Sequence, residues 1–218
     1  MKIFHSILLA VALAQTGCGP SKSSKSDEPA PIGRFAFAGP NSLVNLHLKL
    51  EVDPNTGVVS YFGFYDGQRN LLGPGGITTS IVGMEPPELR GQIRKLSSTE
   101  IRYIGVDQNR IVWEKTWKID ETAVNVTIRI ENRRDEPFDA IIYSLADLPD
   151  ATFSGDNRDL HIATPKVAAD FHAFIKDPHF PGEQMSPYAM RSDSKRLEPG
   201  QVMEFRMTWT LKLPRVQQ

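Results

Sequence analysis

The stretch "NRIVWEKTWKIDETAVNVTIRIENRRDEPF", residues 109–138, decides the fold class. Ile111, Trp113, Trp117 and Ile119 fall on one face of an extended chain, and Val112, Glu114, Thr116 and Lys118 fall on the other. Beyond Asp120-Glu121, Val124, Val126, Ile128 and Ile130 alternate with Asn125, Thr127, Arg129 and Glu131. Successive side chains of a strand point to opposite faces, so a period of two buries one face and wets the other. The segment is expected to be an antiparallel hairpin of two long strands, turning near Asp120-Glu121.

The same signal recurs on both sides. In "SLVNLHLKLEVD", Leu46, Leu48, Leu50 and Val52 alternate with Asn45, His47, Lys49 and Glu51. "DPNTG", residues 53–57, places Pro and Gly where a turn uses them. "GVVSYFGFYDGQRNLL" reads as two short strands around Asp66-Gly67, a dipeptide that favours hairpins. Further strands are expected over 77–82, 93–96, 101–106 and 140–145. "LEPGQ" turns the chain into "VMEFRMTWTLKL", where Phe205, Met207, Trp209, Leu211 and Leu213 share a face. "KVAADFHAFIK", residues 166–176, spaces apolar residues at i, i+4, i+7 and i+8 and is expected to be one short helix. The chain is otherwise all-β.

The N-terminus carries an address. "IFHSILLAVALA", residues 3–14, is apolar apart from His5 and Ser6 and follows Lys2. A spanning helix needs about 20 apolar residues, so this run is too short for one. A positive start, a short apolar middle and small residues before a cleavage point describe a secretion signal. Residues 1–17 are read as that signal, and the chain as exported. Cys18 is the only cysteine. An exported chain with one cysteine has no internal disulfide to form.

Gln15-Thr16-Gly17-Cys18 resembles the bacterial lipobox, with Gln15 standing where that pattern usually has Leu. The resemblance implies lipidation of Cys18, with cleavage after Ala14 and plain secretion as the alternative. Two acyl chains suffice for a stable membrane anchor. Gly19, rather than Asp, after the cysteine resembles the pattern that directs lipoproteins to the outer membrane, facing the periplasm. Residues 18–33 are rich in Ser, Lys and Pro and are read as a disordered tether. Residues 34–218 are read as a single β domain. Formal net charge is −1, and −2 once residues 1–17 take Lys2 with them. That balance argues against nucleic acid, which asks for a clustered basic surface.

Three stretches, taken in order, resemble the galactose-mutarotase-like supersandwich superfamily. "LEVDPNTGVVSYFGFYDGQRNLLGPGG" resembles its opening strands and hairpin. "VWEKTWKIDETAVNVTIRIENRRDEPF" resembles its central hairpin, closing on Asn132. "LEPGQVMEFRMTWTL" resembles its final turn and strand. The resemblance implies a two-layer antiparallel β-supersandwich. It also implies two functional branches: aldose epimerases, which set two histidines and a carboxylate around a sugar ring, and the periplasmic domain of YidC-type insertases, which lacks that set.

An epimerase needs an acid and a base flanking the ring, each within hydrogen-bond reach. His47 reads as a solvated strand residue. His161, in "DLHIATPK", lacks the sequence context that epimerases give a catalytic histidine, and Glu204 falls on the wet side of the last strand. Asp156, Asp159, His161, Asp170, His172, Asp177 and His179 gather between 156 and 179. Their spacing fits no compact zinc or calcium motif, so they read as a solvated loop without a metal. Tyr61, Phe62, Phe64 and Tyr65 read as core on both sheet faces, with a sugar-stacking platform or partner patch as the alternative. No phosphate loop or nucleophile–base pair stands out, and no cofactor is expected. Tyr61, Phe64, Tyr65, His161 and His172 are therefore the candidate ligand-binding residues. The expected function is a non-catalytic, lipid-anchored envelope protein that binds a carbohydrate or a protein partner. A mutarotase-like enzyme and an envelope assembly factor are the alternatives.

Overall fold

The computed structural model describes residues 39–66, 68–149, 151–155, 159–165, 167–173 and 189–213. The signal segment, Cys18 and the tether lie outside these residues, as do Gly67, Asp156, Asp177 and His179. In chain order the strands are β1 (Ser42–Val44), β2 (Leu48–Val52), β3 (Val59–Phe64), β4 (Ile77–Ile81), β5 (Arg90–Lys95), β6 (Glu100–Val106), β7 (Ile111–Asp120) and β8 (Ala123–Asn132). They continue as β9 (Phe138–Ala140), β10 (Ile142–Ala146), β11 (Thr152–Gly155), β12 (Asp159–Ala163), β13 (Ala168–Ala173), β14 (Ala189–Arg191), β15 (Lys195–Leu197) and β16 (Val202–Lys212). One sheet has six strands, ordered β1-β2-β3-β4-β10-β14. The other has eight, ordered β11-β12-β13-β16-β8-β7-β6-β5, and β15 pairs with β9 alone. Every pairing is antiparallel, and the described residues contain no helix.

The hairpin that sets the class forms as its alternation requires. β7 and β8 pair from Ile111↔Asn132 to Asp120↔Ala123, and Glu121 takes the left-handed turn position at φ 39°. Ile111, Trp113, Trp117, Ile119, Val124, Val126, Ile128 and Ile130 are all buried. They face the six-stranded sheet, so the two sheets form a sandwich around one apolar core. Phe62 of β3 meets Phe171 of β13 and Trp209 of β16 at ring-centroid distances of 6.0 and 5.8 Å. Such aromatic contacts add about 0.5–1.5 kcal/mol each beyond the burial itself.

Polar bonds also tie the layers. Lys95 Nζ donates to Ser42 O at 2.9 Å, Tyr103 Oη to Asn55 O at 2.8 Å, and Lys115 Nζ to Gly57 O at 3.4 Å. Gly57 makes this approach possible. Its φ is 64°, and a Cβ there would lie 2.8 Å from the Tyr103 ring. Lys115 breaks the alternation of β7: it lies on the apolar face and is 2% exposed.

Four local expectations are corrected. The strand through Leu46 is two strands, because the Asn45 carboxamide accepts from the backbone N–H groups of His47 and Leu48 and turns the chain. Leu46 and His47 sit in that turn, and Leu46 is exposed. The second strand of the Asp66 hairpin reduces to a single bridge, Gly63↔Asn70. The expected strand over 140–145 is β9 followed by β10. The expected helix over 166–176 is strand β13 across its described part. Val167, Ala169 and Phe171 are buried there, a period of two, and β12 and β16 supply the backbone partners. Tertiary pairing overrides the helical preference of alanine.

Candidate functional site

The tripeptide Asp-x-His with an apolar centre falls on two described strands, as Asp159-Leu160-His161 on β12 and Asp170-Phe171-His172 on β13. Leu160 and Phe171 are buried, which puts both flanking pairs on the outer face of the eight-stranded sheet. Antiparallel register then sets Asp159 opposite His172 and His161 opposite Asp170. The result is two crossed His–Asp pairs on neighbouring strands. What reads as a solvated loop in the sequence is, at these four positions, regular sheet.

His161 Nδ1–H donates to Asp170 Oδ1 at 2.7 Å, and Lys212 Nζ forms an ion pair with the other carboxylate oxygen. His172 Nδ1 pairs with Asp159 Oδ1. An ionised carboxylate only accepts, so the proton of each pair sits on Nδ1. Burial alone would raise the Asp170 pKa, but the bonds from Lys212 and His161 outweigh it and hold the carboxyl below the usual range. In the neutral His161 ring that arrangement leaves Nε2 as an acceptor toward solvent.

The polar rows continue across the sheet. Thr208 and Thr210 of β16 lie opposite His172 and Asp170, and Thr208 Oγ1 donates to Asn125 Oδ1 at 3.0 Å. Asn125 in turn lies opposite Lys118 of β7. The face therefore presents carboxylates, imidazoles, hydroxyls, an amide and an ammonium in a regular array. These groups supply both donors and acceptors at short spacing, as ligands rich in hydroxyls require. The site is open: the side chains of His161 and His172 are 48% and 47% exposed. No group of three His, Cys, Asp or Glu able to hold a metal occurs among the described residues.

The structure brings His161 and His172 together and leaves the candidate aromatics apart from them, Tyr61 and Phe64 on β3 of the other sheet and Tyr65 in the turn that follows it. Tyr61 is buried, its hydroxyl donates to Phe64 O at 2.9 Å, and burial followed by the charge of Asp66 raises its pKa to about 12. Phe64 is buried beneath the Arg69 guanidinium, 3.9 Å from its ring centroid. Tyr65 alone of the four aromatics is exposed, at 53%. Tyr61 and Phe64 thus offer no open ring for stacking. Glu204 is paired with Arg206 on the outer face, its Oε1 accepting from Arg206 Nε at 2.6 Å. Lys212 and Thr208 carry no signal of their own in the sequence, and Asn125 stands there in the polar row of its strand. The signal that finds the site is the repeated Asp-apolar-His, read with strand period and antiparallel register.

No family model matches the sequence, and neither does any curated protein. Solved structures do match. A galactose mutarotase related enzyme from Lactobacillus acidophilus is 8% identical, with a TM-score of 0.56 over 79% of this chain and 97% of that one. A candidate aldose 1-epimerase from Escherichia coli K12 is 13% identical, with a TM-score of 0.53 over 79% of this chain and 98% of that one. A TPR-domain containing protein from Parabacteroides distasonis is 14% identical, with a TM-score of 0.54 over 81% of this chain and 49% of that one. At these identities the likeness is one of architecture. The two-sheet antiparallel sandwich described above has the galactose mutarotase-like fold.

Proposed function

We propose that the outer face of β12, β13 and β16 binds a carbohydrate, and that the protein is a non-catalytic binding protein of the bacterial envelope. The observation that carries this reading is the pair of crossed His–Asp contacts, continued by Lys212, Thr208 and Asn125. Openness favours binding over turnover. Catalytic proton transfer gains most in a site that excludes water, and these imidazoles stand half exposed on a sheet face. The protein is held at the outer membrane, facing the periplasm, by acyl chains on Cys18.

Two other readings keep specific support. The fold is that of structures described as a mutarotase related enzyme and a candidate epimerase, and the His161–Asp170 pair is of the kind that passes protons. The fold also occurs in a structure described as a TPR-domain containing protein, which keeps an assembly role open, because a fold does not fix an activity.

A thermal-shift panel of mono- and oligosaccharides, followed by polarimetry on any reducing sugar that binds, separates these readings. A ligand at a hundred times its dissociation constant adds about 2.7 kcal/mol, which moves the midpoint of a domain this size by roughly 5–10 °C. The binding reading expects such a shift for one sugar, without catalysed mutarotation. Catalysed mutarotation would establish the enzyme. No shift across the panel would reject both sugar readings and leave the protein partner.

A further inference from the structure

Four strands along the same outer face from β13, the sheet presents a second, chemically different feature. Arg94 of β5 stands directly opposite Arg102 of β6. Like charges in directly opposed positions destabilise a sheet. Gln92, on the same face of β5, stands opposite Ile104. These four side chains line a recess of about 270 Å³. The recess is concave and cationic, with one neutral amide and an apolar wall.

The local carboxylate does not neutralise it. Glu114 is shared between Arg102 at 3.3 Å and Arg129 at 3.4 Å. Arg102 Nε is the atom that faces Glu114; it is buried, and the contact lacks hydrogen-bond geometry. Arg94 has no ion pair among the described residues. The recess is lined by two guanidinium groups and no carboxylate, and Glu114, the ion-pair partner of one of them, is shared with Arg129. A guanidinium presents its donors in a planar fork that matches the two oxygens of a carboxylate or phosphate.

We propose that this recess binds an oxyanion, a phosphate or carboxylate group, clamped between Arg94 and Arg102 with Gln92 as a neutral donor. The bound oxyanion offsets the like-charge repulsion across β5 and β6. The recess stands apart from the His–Asp pairs of β12 and β13, with β16, β8 and β7 between them, and does not depend on the carbohydrate reading.

The test uses the Cys18→Ser chain throughout, so that no acyl chain contributes to binding. Inorganic phosphate and acetate are titrated at constant ionic strength, with chloride as the balancing anion. The same chain is then mixed with vesicles of zwitterionic lipid, with and without anionic phospholipid. Saturable binding of an oxyanion is expected, weakened at least about tenfold by Arg94→Gln, since one charge-assisted bond contributes about that factor. Arg94 is exposed and makes no bond whose loss would unfold the sheet; Arg102→Gln is the second variant. Binding to anionic vesicles that free phosphate competes away assigns the oxyanion to a lipid headgroup. Binding of free phosphate or acetate without vesicle binding assigns it to a small soluble ligand. Either outcome supports the site. Affinities that are equal in the parent chain and Arg94→Gln, or no binding of any of the probes, would overturn it.

Discussion

Lys115 is a buried cation on an apolar sheet face, and among the described residues its ammonium has one weak acceptor, Gly57 O at 3.4 Å. Burial lowers its pKa from 10.5 to about 7. Between those values the unfolded chain holds a proton that the folded chain lacks. Stability therefore rises with pH from about 7 to 10.5, and the full penalty is present below 7. The window is worth on the order of 4–5 kcal/mol. Lys115→Met keeps the volume and removes the charge, so it should stabilise the fold by about 2–4 kcal/mol at pH 6 and by little at pH 10. Urea unfolding of both chains at the two pH values checks this; equal differences at both would contradict it. Asn132 is the opposite kind of buried polar residue, because all its groups are used. Its amide donates to Glu136 O and Leu197 O at 3.0 and 2.9 Å, and its carbonyl accepts from Arg134 N at 2.9 Å. Asn132→Ala leaves those backbone groups unpaired and should cost about 2–4 kcal/mol in the same assay. A loss under 1 kcal/mol would mean the bonds contribute little.

At the scale of elements, β13 is the informative case. Its apolar residues fit a helix by one count and a strand by another, and the sequence alone gives no reason to prefer the strand. The pairing between β12 and β16 decides it, and that is a long-range fact. Phe171 stacks on Trp209 at 5.5 Å, whereas Asp170 faces out. Phe171→Ala should therefore cost about 3–5 kcal/mol. Asp170→Ala should cost under about 1 kcal/mol, because exposed ion pairs contribute little. Comparable losses at both positions would contradict the strand. The same contrast explains what could be read in advance. The hairpin of β7 and β8 was legible because eight apolar residues alternate without a break except at Lys115. The turn at Asn45 was hidden because Leu46 keeps the alternation while the Asn45 side chain bends the backbone. The His–Asp face was legible only in part. Its residue types stand out, but a loop and a strand differ in where they point those residues, and register is set by partners far along the chain.

On the scale of the whole molecule, the sandwich, the address and the ligand rest on separate observations. The proposed address depends on Cys18. Cys18→Ala should abolish incorporation of radiolabelled palmitate and release the protein from the membrane fraction; an unchanged membrane fraction without label would contradict acylation as the anchor. The central claim is that a carbohydrate sits on the outer face of β12 and β13. Its most direct measurement is a sugar titration followed by NMR of the imidazole Cε1–Hε1 resonances, assigned by His161→Gln and His172→Gln. The account predicts that the His161 and His172 resonances move together and saturate, while that of His47, in the turn before β2, stays still. A sugar that binds and moves neither resonance would contradict it.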